Sequence, residues 1–231
     1  MIASLPWITF VLIGALIAGL IVLSIRRRAQ LIGRLAELSR QKGWQLEARP
    51  EPGVDCLLRG ASANLAWELR YTSPVGSDGG GQSTVEFSSH SVVFPGTLLL
   101  YPRPARMKLD LPSGKIGELK GITGRLFSWS MKWMGVDVSE VGIQPVGTTA
   151  FLEKYLVLAP DAESARRLVG AVETQLLNWP AARTPSNLPA VVVDPKGVRV
   201  RVVRDGTSQD QQVLVADRLA TLGASVVGAF Q

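Results

Sequence analysis

The sequence predicts an α+β chain carried on one N-terminal transmembrane helix. Three observations point there. A long charge-free apolar run lies near the start, short β-rich runs then follow one another without helices between them, and the last third alternates strand-like and helix-like patterns. The expected organisation is a short extracytoplasmic N-terminus (1–4), a transmembrane helix (5–25), a basic juxtamembrane helix (26–43), a strand-rich region (44–147) with a helical segment near 113–135, and a C-terminal β-α-β-β-α unit (148–231).

From Leu5 to Ile25 there are 21 consecutive residues without a charged side chain. At about 1.5 Å per helical residue this reaches roughly the 30 Å of a hydrocarbon core. A cleaved export signal has a basic start, a shorter apolar run and a small-x-small cleavage site. Here no charged side chain precedes Trp7 and the run ends in LSIRRR, so it reads as an uncleaved anchor. Positive charge beside a span is retained on the cytoplasmic side. Arg26, Arg27 and Arg28 therefore act as the topology signal, placing the N-terminus outside and the remaining chain in the cytosol at the cell inner membrane. Gly14, Ala15, Ala18 and Gly19 stand at four-residue spacing, a pattern that lets helices approach closely, and form a candidate self-association face.

Leu31, Leu35 and Leu38 keep helical spacing beyond the arginines, so the helix is expected to continue to about Gln41 and stop at Gly43. The runs 44–48, 55–60, 63–72, 83–89 and 96–102 read as strands of an antiparallel sheet, separated by Pro, Gly, Ser and Asn. The glycine-rich 74–83 lacks the lysine and the following helix of a phosphate loop, and reads as a hairpin connection. In 113–135, Ile116, Leu119, Ile122, Leu126, Trp129 and Trp133 fall near one helical face beside several lysines and arginines. That segment is expected to pack on the sheet or to touch lipid. Phe127, Trp129, Lys132 and Trp133 are its candidate contacts to a protein partner or an anionic lipid.

Residues 150–159 read as a strand, 160–179 as a helix opened by Pro160 and Asp161, and 188–206 as a hairpin turning at Asp194-Pro195-Lys196-Gly197. A last helix is expected from about Ser208. Val198, Val200 and Val202 alternate with Arg199, Arg201 and, past Val203, Arg204, an arginine row read as solubilising.

In FLEKYLVLAPDAESARRL, Phe151, Tyr155 and Val157 precede Asp161, Ala165 and Leu168. This text resembles uncharacterised bacterial single-pass membrane proteins, in which an F-x-x-x-[FY]-x-V strand leads into a helix opening D-x-x-x-A-x-x-L, followed by a hairpin and a terminal helix. The resemblance covers about 148–230 and the anchor-then-Trp-strand layout near Trp44. It implies an architecture and carries no reaction.

The 231 residues hold 25 Lys and Arg against 19 Asp and Glu, a net charge of +6. Seven basic residues and only Glu37 and Glu47 fall between Arg26 and Arg49, so the basicity is juxtamembrane and leaves no basic stripe for nucleic acid on the remaining chain. His90 is the single histidine and Cys56 the single cysteine, which rules out multi-histidine or multi-cysteine metal sites and any internal disulfide. No cofactor motif stands out. Serines beside His90 in a strand would point to opposite faces and make poor nucleophile–base pairs. Cys56 reads as a buried thiol, and acids such as Asp161 as helix caps. The expected role is a membrane-tethered, non-enzymatic interaction or accessory domain. The alternatives are a lipid-surface domain using 113–135 and an anchored enzyme using His90.

Overall fold

The computed structural model describes residues 5–62, 65–73, 82–103, 135–136, 141–180, 187–204 and 208–231. Among these, one antiparallel sheet of nine strands is covered on one face by helices. The elements are α1 (Leu5–Lys42), β1 (Gln45–Ala48), β2 (Val54–Ser62), β3 (Leu65–Thr72), β4 (Thr84–Ser89), β5 (Leu98–Pro102), β6 (Gly142–Ile143), α2 (Thr149–Lys154), β7 (Tyr155–Ala159), α3 (Ala162–Leu177), β8 (Ala190–Asp194), β9 (Gly197–Val203) and α4 (Gln209–Phe230).

α1 runs unbroken for 38 residues. It stops in a Schellman arrangement: Gly43 takes φ +71° and the Trp44 amide donates to the Ser39 carbonyl at 2.8 Å. Its two halves meet different surroundings. Phe10 to Ile25 exposes every large apolar side chain, whereas Leu31 and Leu35 bury against the sheet and Ser39 returns its hydroxyl to the Leu35 carbonyl.

The strand order is β1-β2-β3-β4-β9-β8-β5-β7-β6, every neighbour antiparallel. Strands from before and after residue 148 interleave: β4 pairs with β9, and β5 lies between β8 and β7. The helices lie across one face in the order α1, α4, α3. Trp67, Leu69, Tyr71, Val85, Phe87, Val200 and Val202 point under them at alternate positions, as a half-buried sheet requires. On the opposite face of β1, β2, β4 and β9 the partners are charged: Arg59 with Glu47 at 3.0 Å, and Arg201 with Glu86 at 4.0 Å. Further across, that face turns apolar, where Leu99, Leu156, Leu158 and Val192 bury with Val136 and Val141.

Two glycines set close approaches. At Gly223 in α4 an added Cβ would stand 2.3 Å from the Phe87 ring, so the bare backbone lets α4 sit down on the sheet. Gly197 takes φ +116° in the β8–β9 turn, with the Ser89 carbonyl 2.2 Å from where a Cβ would be. The same turn is fixed by Asp194, whose carboxylate accepts from the Lys196 amide at 2.8 Å and from Arg199 at 2.5 Å.

The reading of 150–159 as one strand is corrected. Its first half is the helix α2, begun by Thr148, whose hydroxyl accepts from the Phe151 amide. The order from Thr149 is thus α-β-α-β-β-α. A capping threonine outweighed an apolar pattern too short to separate strand from helix. Glu173 of α3 ties this cap down, accepting from the Thr148 amide at 2.8 Å.

Candidate functional site

Where α1 reaches the sheet, a cleft of about 760 Å³ opens beside its arginines. Ser24, Arg27, Arg28 and Leu31 form its α1 wall. Their spacing of three and four residues places them on one stripe, continuous with the Leu31 and Leu35 face that packs on the sheet. The ends of strands supply Asp55, Ser73, Ser83 and Arg204, and the start of α4 supplies Ser208, Gln209 and Gln212.

Asp55 is the electrostatic centre. It is 3% exposed and sits between two guanidinium groups, with Oδ1 paired to Arg28 and Oδ2 to Arg204. Ser73 donates its hydroxyl to Oδ2 at 2.6 Å. Arg204, 8% exposed, also donates to the Thr72 carbonyl at 2.8 Å and to Gln212 at 3.2 Å, and its guanidinium lies 5.6 Å from the Tyr71 ring centroid. Tyr71 in turn donates to the Gln212 carbonyl at 2.9 Å. One carboxylate thus faces two arginines in a poorly solvated place. With Arg27 alongside, the described lining residues carry an excess of positive charge.

Local backbone geometry aims these groups. The register of β2 against β3 shifts between Val54 and Cys56, and such a bulge re-aims a side chain, here bringing Asp55 to the helix-covered side. Beyond β9, Arg204 shares parity with the inward-facing Val198, Val200 and Val202. Its amide still pairs with the Ser83 carbonyl at 2.9 Å, so the extended backbone carries it under the helices. Arg204, expected in a solubilising row, is buried here, as is Asp55, for which the sequence raised no expectation. Parity carried the signal for Arg204, whereas the bulge that turns Asp55 left none.

α4 opens at this cleft. Ser208 and Gln211 form a reciprocal capping box. Gln209 donates to the Arg27 carbonyl at 2.7 Å, while Arg34 pairs with Asp210 and Lys42 with Asp217 at 2.7 Å. These contacts advance together along both helices, so α1 and α4 run in the same direction. The N-terminus of α4, the positive end of its dipole, lies at the level where the apolar half of α1 ends.

Of the other residues singled out in the sequence, Arg26, Arg27 and Arg28 lie at the boundary between the exposed and packed halves of α1, and Arg28 alone of the three reaches Asp55. Gly14, Ala15, Ala18 and Gly19 lie in the exposed half. Phe127, Trp129, Lys132 and Trp133 fall outside the described residues, as does most of the 113–135 segment. His90 directs Nδ1 to the Lys196 carbonyl at 2.6 Å, while Ser89 donates to the Ala66 carbonyl at 2.8 Å. His90 and Ser89 therefore serve the turn and the sheet. Cys56 is fully buried, and burial, reinforced by the adjacent Asp55, pushes its thiol up to about 12. Burial likewise raises the Tyr71 phenol. Among the described residues, no group of three or more His, Cys, Asp and Glu is arranged to hold a metal ion.

Fold and cleft together define a class: an α+β domain joined without a break to an exposed apolar helix, with a buried ion-pair cluster at the junction. No protein-family model matches the chain, and a comparison with curated proteins finds no match. Among solved structures, the crystal structure of the mycobacterial trehalose monomycolate transport factor A, TtfA, is similar over 87% of this chain and 94% of that one, with 10% sequence identity and a TM-score of 0.45. A likeness of that degree bears on neither activity nor cargo.

Proposed function

We propose that this chain is a membrane-tethered, non-enzymatic interaction domain. In this reading α1 crosses the inner membrane with its N-terminus outside, and the sheet domain is held at the cytosolic surface. The observation that carries it is the change of surroundings along one unbroken helix. From Phe10 to Ile25 large apolar side chains are exposed all round it, and from Leu31 the same helix is buried on one stripe only. A helix whose apolar side chains are exposed all round among the described residues suits lipid, whereas a one-sided stripe suits a water-facing domain.

α4 is also long and apolar enough to span. Eight of its residues are buried, among them Leu219, Leu222, Val226 and Val227, so it belongs to the domain core. Arg26, Arg27 and Arg28 on the domain side favour the cytosolic orientation. The domain is held in place by helix geometry: Ile25 and Leu31 are six residues apart, about 9 Å along the axis. Confinement of this kind raises the local concentration of the domain for a surface partner. His90 bonded to a turn carbonyl and the buried Cys56 thiol support binding in preference to catalysis.

Reporter fusions to Gln231 test the orientation. A reporter active only in the cytosol is expected to work there, and one active only after export is expected to fail. The opposite pair of results would overturn the orientation and leave the arginines without a topological role.

A further inference from the structure

We infer that the cleft between α1, the strand ends and the start of α4 is a binding site for the phosphate headgroup of an acidic phospholipid. The inference rests on α1 lying in a membrane. It adds a ligand to that reading and places the ligand on residues distinct from the 113–135 segment.

Position comes first. Ser24, on the cleft wall, is the penultimate residue of the charge-free run, so the cleft stands at the boundary between hydrocarbon and water. Extending the Ser24–Arg28 stripe back by three, four and seven residues reaches Ile21, Leu20 and Ile17, which are 54%, 58% and 52% exposed. Acyl chains lying along these side chains would bring the headgroup to the arginines.

Charge selects the headgroup. Asp55 is shared between Arg28 and Arg204, and Arg27 adds a third guanidinium, so an anion would settle the excess positive charge. The start of α4 adds its dipole, and the Ser24 and Ser208 hydroxyls add donors, giving charge-assisted contacts of the kind arginine makes to phosphate. About 760 Å³ lies within the range of roughly 300–1,000 Å³ common to ligand sites. A zwitterionic headgroup would bring its own cation into this positive field and lose most of the gain.

The test titrates the full chain in nonionic detergent micelles with short-chain phosphatidylglycerol, phosphatidylcholine of the same chain length, and inorganic phosphate, reading binding by calorimetry. Saturable binding of one phosphatidylglycerol per chain is expected, with phosphatidylcholine and phosphate much weaker. Arg27→Gln, which leaves the Asp55 pairs intact, is expected to weaken phosphatidylglycerol by about fivefold, and Arg40→Gln, on the same helix outside the cleft, to leave it unchanged. Equal affinity for the two lipids, equal loss in Arg27→Gln and Arg40→Gln, or phosphate binding as tightly as phosphatidylglycerol would each overturn the site. Carbonate-resistant insertion of the same proteins into vesicles is measured in parallel. Lost binding with insertion intact refutes the headgroup site alone, and failure to insert refutes the membrane reading beneath it.

Discussion

Asp55 joins α1 to the sheet by accepting one arginine from each. Removing the carboxylate leaves Arg204 buried without its counter-charge. Asp55→Ala is therefore expected to lower stability by about 3–5 kcal/mol, measured by urea unfolding in detergent micelles. Cys56, next in sequence, makes a pH-dependent prediction. Its folded value, about 12, lies above the ordinary 9.0, so the folded protein keeps a proton that the unfolded chain releases. The cost is nil below pH 9 and grows as pH rises towards 12. Unfolding titrations should show stability falling across that window, less steeply in Cys56→Ala, with the raised Tyr71 accounting for part of the remaining slope. A native thiol unreactive to maleimide at neutral pH belongs to the same picture.

The helices were the most legible elements, because their signals are local. Asp161 caps α3 by accepting from the Ser164 amide at 2.7 Å, Ser208 caps α4, and Gly43 ends α1, each near where the sequence places a boundary. α2 was missed although Thr148 stands at its start, since six residues are too few to show a helical period. Pairing was legible only where a turn encodes it, as in the β8–β9 hairpin at Asp194–Gly197; β4 and β9 meet across more than a hundred residues, and no local pattern encodes a partner so distant. The cleft inherits that difficulty, as Asp55 and Arg204 are 149 positions apart. At this scale Gly223 offers a clean test of how α4 seats. Gly223→Ala forces a methyl against the Phe87 ring and should cost about 1–3 kcal/mol. Gly228→Ala, on the same helix with nothing within 4 Å, should be neutral or slightly stabilising in the same unfolding measurement.

At the scale of the whole molecule, one unbroken helix meets two kinds of surroundings. Among the described residues the large apolar side chains of its first half are exposed, its second half packs on the sheet, and the arginines lie at the change. The exposed pairs linking α1 to α4, such as Arg34 with Asp210, contribute roughly 0–1 kcal/mol each, so the buried Leu31 and Leu35 carry more of the attachment. The most direct measurement of this arrangement is a spin-label accessibility scan along α1 in lipid vesicles, with single cysteines introduced from position 10 to position 35 and the unreactive Cys56 replaced by alanine. High oxygen and low nickel-chelate accessibility are expected from 10 to about 25, with a switch to nickel accessibility at 26–28 and protection from both at 31 and 35. Nickel accessibility recurring every three to four residues through 10–25 would mean a helix lying on the surface, and would contradict the span on which the account stands.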